Sequence, residues 1–324
     1  MVLTRSKNSS LNGSIVPSPT KVTKIKKESV LRSASKKPPK KNIEDLFKNV
    51  DVPKDLSLPQ GFVDAHTTDF IKGVEYVVSK DPSLYPVIVH SPFKVFSKQE
   101  VSEVSDTERL HKYWYALIRS VLGQQISGSA AKAIEERFNA LLGDSRKPQA
   151  VLAMKPETLQ AVGLSGQKLK YIIHISEVFS NPESRLANVQ FYRDSSSAEL
   201  MEELVKLKGI GEWSAKMFAL FTLKELDIFA YDDLGVARGV SRYLANRPEL
   251  LREVKDGVHA VEVLKNGLKK KGKFMAPSSK RDWVPLHDEY VKFLGLMFAP
   301  YQSVFMFAMW RLATTNIEVL ENNR

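Results

Sequence analysis

The chain has no cysteine, which removes disulfides, thiolate zinc sites and cysteine-held iron–sulfur clusters from consideration. It also lacks any apolar run long enough to span a bilayer, so no membrane partner is expected. Alternating apolar–polar stretches are scarce, and residues 226–229 are the one short candidate strand. Acidic residues are nearly missing from positions 1–41, where eleven Lys or Arg face only Glu28. That segment carries +10 of the net charge of +11, leaving the remaining 283 residues at +1. A basic total normally hints at nucleic acid, but here it describes a tail, and the rest must be read from its motifs.

The Ser-, Pro- and Lys-rich start has too few large apolar residues to bury a core. Residues 1–55 are therefore expected to form a basic disordered tail. Its clusters at 24–27 and 36–41 read as nuclear import signals or a weak phosphate-binding arm, with a plain solvated linker as the alternative. Pro17, Pro19 and the lysine bias argue against a mitochondrial presequence, so the nucleus is the expected location.

What the chain does have is helical spacing. Residues 64–79, 113–127 and 129–142 place apolar side chains on one face, the second with Trp114, Leu117, Ile118, Val121 and Leu122 in a single stripe. Further helices are expected at 156–162, 168–179, 199–207, 212–223 and 234–244. Residues 304–312 are apolar nearly all round and read as a core helix. Residues 265–285, with seven Lys or Arg among Pro and Ser, read as a basic flexible loop. The architecture is all-α.

One turn stands out: Lys208, Gly209, Ile210 and Gly211, leading into a helix that starts near Glu212. Glycines there permit turn angles closed to other residues, and the free N–H groups of the helix start can seat a phosphate. Lys208 and Lys216 add positive charge, although an ordinary helix–helix turn would use the same glycines. Twenty-four residues after Gly209 comes Asp233, preceded by Asp232. A carboxylate at that remove could face the sugar beside the phosphate, where it would stabilise positive charge developing on deoxyribose. Asp is also a good helix N-cap, and a cap and a catalytic group can be one residue.

These features, with residues 122–127 (Leu-Gly-Gln-Gln-Ile-Ser), resemble the helix-hairpin-helix (HhH-GPD) DNA glycosylase superfamily. Three stretches resemble fungal DNA-3-methyladenine glycosylases: Asp81-Pro82-Ser83-Leu84-Tyr85-Pro86, the run 209–218, and Pro300-Tyr301-Gln302-Ser303 with the apolar residues after it. The resemblance covers residues 60 to 315 or so and leaves out the tail and the 265–285 loop.

The resemblance implies one domain over 56–324, with a hairpin-bearing subdomain at 108–233, a second helical subdomain from 56–107 and 234–324, and an active-site cleft between them. It implies excision of positively charged alkylated purines, such as 3-methyladenine and 7-methylguanine, from double-stranded DNA by base flipping and hydrolysis of the N-glycosidic bond. Asp233 becomes the catalytic carboxylate, because the family pattern sets it three residues before an apolar position and five before a basic one, here Val236 and Arg238. Asp232 becomes a cap or supporting group. Trp213 stands where members that also cut the backbone carry a lysine nucleophile, so no AP lyase step is expected. Gln125 is implied as the plug that fills the space left by the flipped base, while Gln124 is read as a cross-link between helices. Trp213 and Tyr301 offer electron-rich faces to a cationic base. Trp114 and Met217 are further candidates for that lining, with core packing as their alternative. No metal is expected from side chains, although a monovalent cation at the hairpin is implied, and the protein is expected to act as a monomer. Two other readings share these motifs: a non-catalytic DNA-binding module, and a glycosylase for oxidised or mismatched bases.

Overall fold

The computed structural model describes residues 51–98, 104–278 and 281–313. Both basic clusters of the expected tail lie outside these residues. Among the described residues there are helices and no strands, only an isolated bridge between His66 and Ser97.

The helices that position the site are α1 (Thr68–Lys80), α2 (Asp106–Gly123), α3 (Gly128–Leu142), α4 (Gly166–Ser180), α5 (Ser197–Val205), α6 (Glu212–Phe218), α7 (Leu234–Leu244), α8 (Pro248–Ala260), α9 (Asp288–Leu296) and α10 (Gln302–Leu312). Local chemistry sets their ends. A capping box between Ser105 and Glu108 starts α2 ahead of the expected position 113. The helix stops at Gly123 rather than 127, because Gln124 takes an extended backbone (φ −62°, ψ 135°) and Gln125 follows with φ 58°. Ser127 then caps α3, accepting a bond from Ala130 N at 3.3 Å. The expected helix over 64–79 is split at His66. That buried imidazole contacts the Phe62 carbonyl at 2.6 Å and accepts the Phe93 N–H at 2.8 Å, serving as a structural fastener.

Two apolar cores form. One gathers α1, α7, α9 and α10 around Phe70, Phe305, Phe307 and Trp310. The other gathers α2, α3, α4 and α5 around Trp114, Leu117 and Phe138. Helix α6 serves both: Ala215 and Phe218 enter the second core and Met217 the first. A π turn over Ala219–Leu223 prolongs it and divides the same way, with Ala219 on one side and Leu220 and Phe221 on the other.

Residues 226–229 are not a strand. Their backbone groups bond to α10 instead: Ser303 N donates to the Leu226 carbonyl, Ile228 N to Ser303 Oγ and Ala230 N to Met306 Sδ. Helix α7 lies directly against α10, where a Cβ on Gly239 would stand 2.0 Å from the Met309 carbonyl oxygen. Only glycine permits that approach.

After a helix over Glu262–Gly267, residues 268–278 and 281–285 are irregular, and Lys273 ties the first of these stretches down. Both Asp288 oxygens accept the Lys273 N–H, at 2.9 and 3.1 Å. Lys273 Nζ donates to the Asp232 carbonyl at 2.8 Å.

Candidate active site

Asp233 is the N-cap of α7, with Oδ1 accepting from Val236 N at 3.0 Å. The same oxygen accepts the indole N–H of Trp310 at 2.8 Å, and Oδ2 accepts that of Trp213 at 3.1 Å. Three donors therefore hold a half-buried carboxylate on its two oxygens and set its orientation. Helix α6 brings Trp213, α10 brings Trp310, and α7 directs its N-terminal dipole at the acid. Trp310 escapes a reading of the sequence that treats 304–312 simply as core. It is fully buried, stacked on Phe221 with centroids 6.0 Å apart. The signal available in advance is that a buried indole needs an acceptor for its N–H.

Asp232 has a different fate. Its carboxylate lies 3.7 Å from Lys216 Nζ and 3.4 Å from Lys273 Nζ, so it is spent on ion pairs. Lys216 is buried, 8 % exposed, against the expectation that it would lend its charge to a phosphate at the turn. Its ammonium sits 2.7 Å from Glu212 Oε1 and 3.9 Å from the centre of the Tyr231 ring. A buried lysine needs such company, which is why it turns inward. The Tyr231 hydroxyl donates to Glu212 at 3.1 Å, and burial together with the Glu212 charge pushes its pKa well up.

The hairpin joins α5 to α6. Leu207 and Ile210 are buried, 3 % exposed each, and anchor the turn from beneath. Gly209 has φ +89°, and a Cβ there would come within 2.3 Å of the Tyr171 ring. Gly211 is different: its φ is −90°, and no heavy atom lies within 4 Å of a Cβ built on it. The fold does not require glycine at 211, so the space in front of it is open. No side chain caps α6, and its first N–H groups remain available to an anion. Gln124 donates to the Gly209 carbonyl at 2.7 Å, cross-linking the end of α2 to the hairpin.

A cavity of about 530 Å³ lies here, lined among others by Gln124, Gln125, Lys168, Lys208, Gly209 and Gly211. Lys168, which the sequence placed only within a helix, donates to the Leu122 carbonyl at 2.7 Å at the C-terminus of α2, and burial lowers its pKa. Gln125 and Lys208 are exposed on the rim. Holding a non-glycine residue at φ 58° costs on the order of 1 kcal/mol, a strain typical of functional positions.

Two of the expected lining residues lie in the cores, and a third packs on α1. Trp114 is fully buried in the second core, its N–H donated to Ser176 Oγ at 3.0 Å. Met217 is fully buried in the first core, so neither offers surface to a base. Tyr301 precedes α10 and packs on α1, with its ring 5.2 Å from that of Tyr76. Among the described residues, no group of three or more His, Asp or Glu could hold a metal ion, and no helix is long and apolar enough to cross a membrane.

Residues 118–256 match the family model of the HhH-GPD superfamily base excision DNA repair proteins. The chain is 34% identical over 275 residues to a DNA-3-methyladenine glycosylase of Saccharomyces cerevisiae, covering 83% of this chain and 88% of that protein. It is 32% identical over 136 residues to DNA-3-methyladenine glycosylase 1 of Schizosaccharomyces pombe, covering 41% and 58% respectively. A solved DNA-3-methyladenine glycosidase from Bacillus halodurans superimposes with a TM-score of 0.52 at 25% identity, covering 76% of this chain and 91% of that one.

Proposed function

The chain belongs to the HhH-GPD superfamily of base excision DNA repair proteins, and from that premise we propose that it is a monofunctional DNA glycosylase that hydrolyses the N-glycosidic bond of alkylated purines in duplex DNA. The observation that carries this reading is the Asp233 carboxylate, held by Trp213, Trp310 and Val236 N beside a hairpin with open space at Gly211.

A phosphate seated at 209–211 places the neighbouring deoxyribose against Asp233. Methylation at N3 or N7 makes the purine cationic, so it departs as a neutral base with the bonding electron pair. Positive charge then grows on the sugar, and the oriented carboxylate stabilises it. Water adds to C1′, Asp233 accepts its proton, and the products are free base and an abasic sugar. A charged leaving group needs little acid assistance, and none of the donors around Asp233 is a strong acid. Trp213 occupies the position of the lyase lysine and binds the carboxylate instead, so no imine to the sugar forms there.

Extruding the nucleotide costs a few kcal/mol and leaves a gap. Gln125, exposed and already in a left-handed conformation, fills it. The part of the Trp213 ring left exposed offers a face to the cationic base. The basic tail directs the protein to the nucleus, to be tested by fusing residues 1–55 to a fluorescent reporter.

Chromatography of bases released from methylated DNA tests the activity. Asp233→Asn sets an amide against the Trp213 N–H, so release falls by at least about 10³-fold while binding to damaged duplex persists. Unchanged release would refute the mechanism. Borohydride should trap no covalent adduct with DNA, and a trapped adduct would contradict the role given to Trp213.

A further inference from the structure

Besides the hairpin and α10, the stretch before α9 reaches the segment that carries Asp233. Lys273 donates through Nζ to the Asp232 carbonyl at 2.8 Å, on the peptide that leads into Asp233, while its own N–H is held by both Asp288 oxygens. His287 Nε2 contacts the Lys270 carbonyl at 2.8 Å, so the backbone just before Lys273 is fixed as well. This anchored stretch presents Lys269, Lys270 and Lys271, all exposed. Lys269 donates to Asn266 Oδ1, and among the described residues no ion pair engages Lys270 or Lys271. At ~3.5 Å per residue, the backbone of Lys271 stands within roughly 7 Å of that of Lys273, whose side chain meets Asp232.

A triple lysine run costs free energy through self-repulsion unless an anion offsets it. The rest of the chain beyond residue 41 nets only +1, so these charges are a local concentration, not part of a general basic surface. Phosphates of one strand recur every ~7 Å or less, so a strand whose sugar meets Asp233 carries further phosphates past the rim of this site.

We propose that residues 268–273 form a second backbone clamp, in which Lys269, Lys270 and Lys271 bind phosphates flanking the nucleotide held at Asp233, and Lys273 fastens the clamp to the catalytic segment. This rests on the reading of the protein as a DNA glycosylase. It gives the enzyme two grips on separate chain segments, the neutral turn at 209–211 and a charged one at 269–271. The charged grip carries a large share of the salt dependence of binding.

The test uses the full chain and a duplex with an uncleavable abasic-site analogue, with Kd measured against KCl concentration. Replacing Lys269, Lys270 and Lys271 by Ala should reduce the slope of log K against log salt by about 2–3, from ~0.9 per phosphate contact, and weaken binding at least about tenfold at low salt. A control lacking Lys72, Lys132 and Lys255, on other helices, should keep the wild-type slope. Base release from methylated DNA by wild type is measured in parallel. A slope in the Lys269–Lys271 variant equal to wild type overturns the clamp whether or not bases are released. A wild type that binds damaged duplex yet releases no base overturns the glycosylase reading, while a lowered variant slope would still support the clamp.

Discussion

Replacing Trp310 by Phe keeps an aromatic ring in a fully buried stack and deletes one N–H, the donor 2.8 Å from Asp233 Oδ1. Hydrogen bonds to charged groups contribute about 1.5–3 kcal/mol. The smaller ring leaves a void of some 40 Å³, which at ~24 cal/mol per Å³ adds about 1 kcal/mol of destabilisation. Folding stability should therefore fall by about 2–4 kcal/mol. If the lost bond is fully felt in the transition state, base release slows by about 10- to 150-fold. Binding to the duplex should hold, because Trp310 is fully buried in the core. Single-turnover release of 7-methylguanine, urea unfolding and Kd on an uncleavable abasic duplex separate these effects. Release within twofold of wild type, in a variant that has lost the expected stability, would refute the view that Trp310 orients the carboxylate.

The two hairpin glycines should behave oppositely. Gly209→Ala combines a φ of +89° with a clash against Tyr171, and should cost at least ~1–2 kcal/mol in urea unfolding along with DNA affinity. Gly211→Ala meets no protein atom and should leave stability within ~0.5 kcal/mol, yet weaken DNA binding because its methyl enters the phosphate's space. Equal stability losses in the two would contradict this division. Burial lowers the pKa of His66, and the nearby Arg311 charge lowers it further. Its folded pKa is depressed below 6.5, so the unfolded chain binds the proton more readily. The neutral ring's contribution is thus complete above pH 6.5 and is lost as pH falls from there towards the folded value. Urea midpoints at pH 7.5 and 5.5 should differ by less in His66→Gln than in wild type.

The helices were legible because their apolar stripes are strong: α7 begins and ends where the spacing of 234–244 places it. Two were not read. Helix α8 mixes charge along Glu249, Arg252, Glu253, Lys255 and Asp256, leaving only Val254 and Val258 buried. Helix α9 is short and follows the irregular loop. The strand-like residues 226–229 misled because their apolar side chains are buried while their backbone bonds to the side chains and turn of α10. At the site, the glycine turn and a carboxylate downstream of it were readable from spacing, and the resemblance singled out Asp233, Trp213 and Gln125. The inward turn of Lys216 and the contact from Trp310 did not follow, since each depends on a partner from a distant segment. Trp114 and Met217 show the converse, because residue type alone cannot separate a pocket wall from an interior one.

The main-chain meeting of Gly239 and Met309 has a consequence for how substrate preference can change. Helices α7 and α10 touch there without intervening side chains, so the separation of the acid from the indole beside it is set by peptide groups. Residues around the extruded base can be exchanged for larger or smaller ones without spreading this pair. Selectivity is free to drift while the reactive carboxylate keeps its aim.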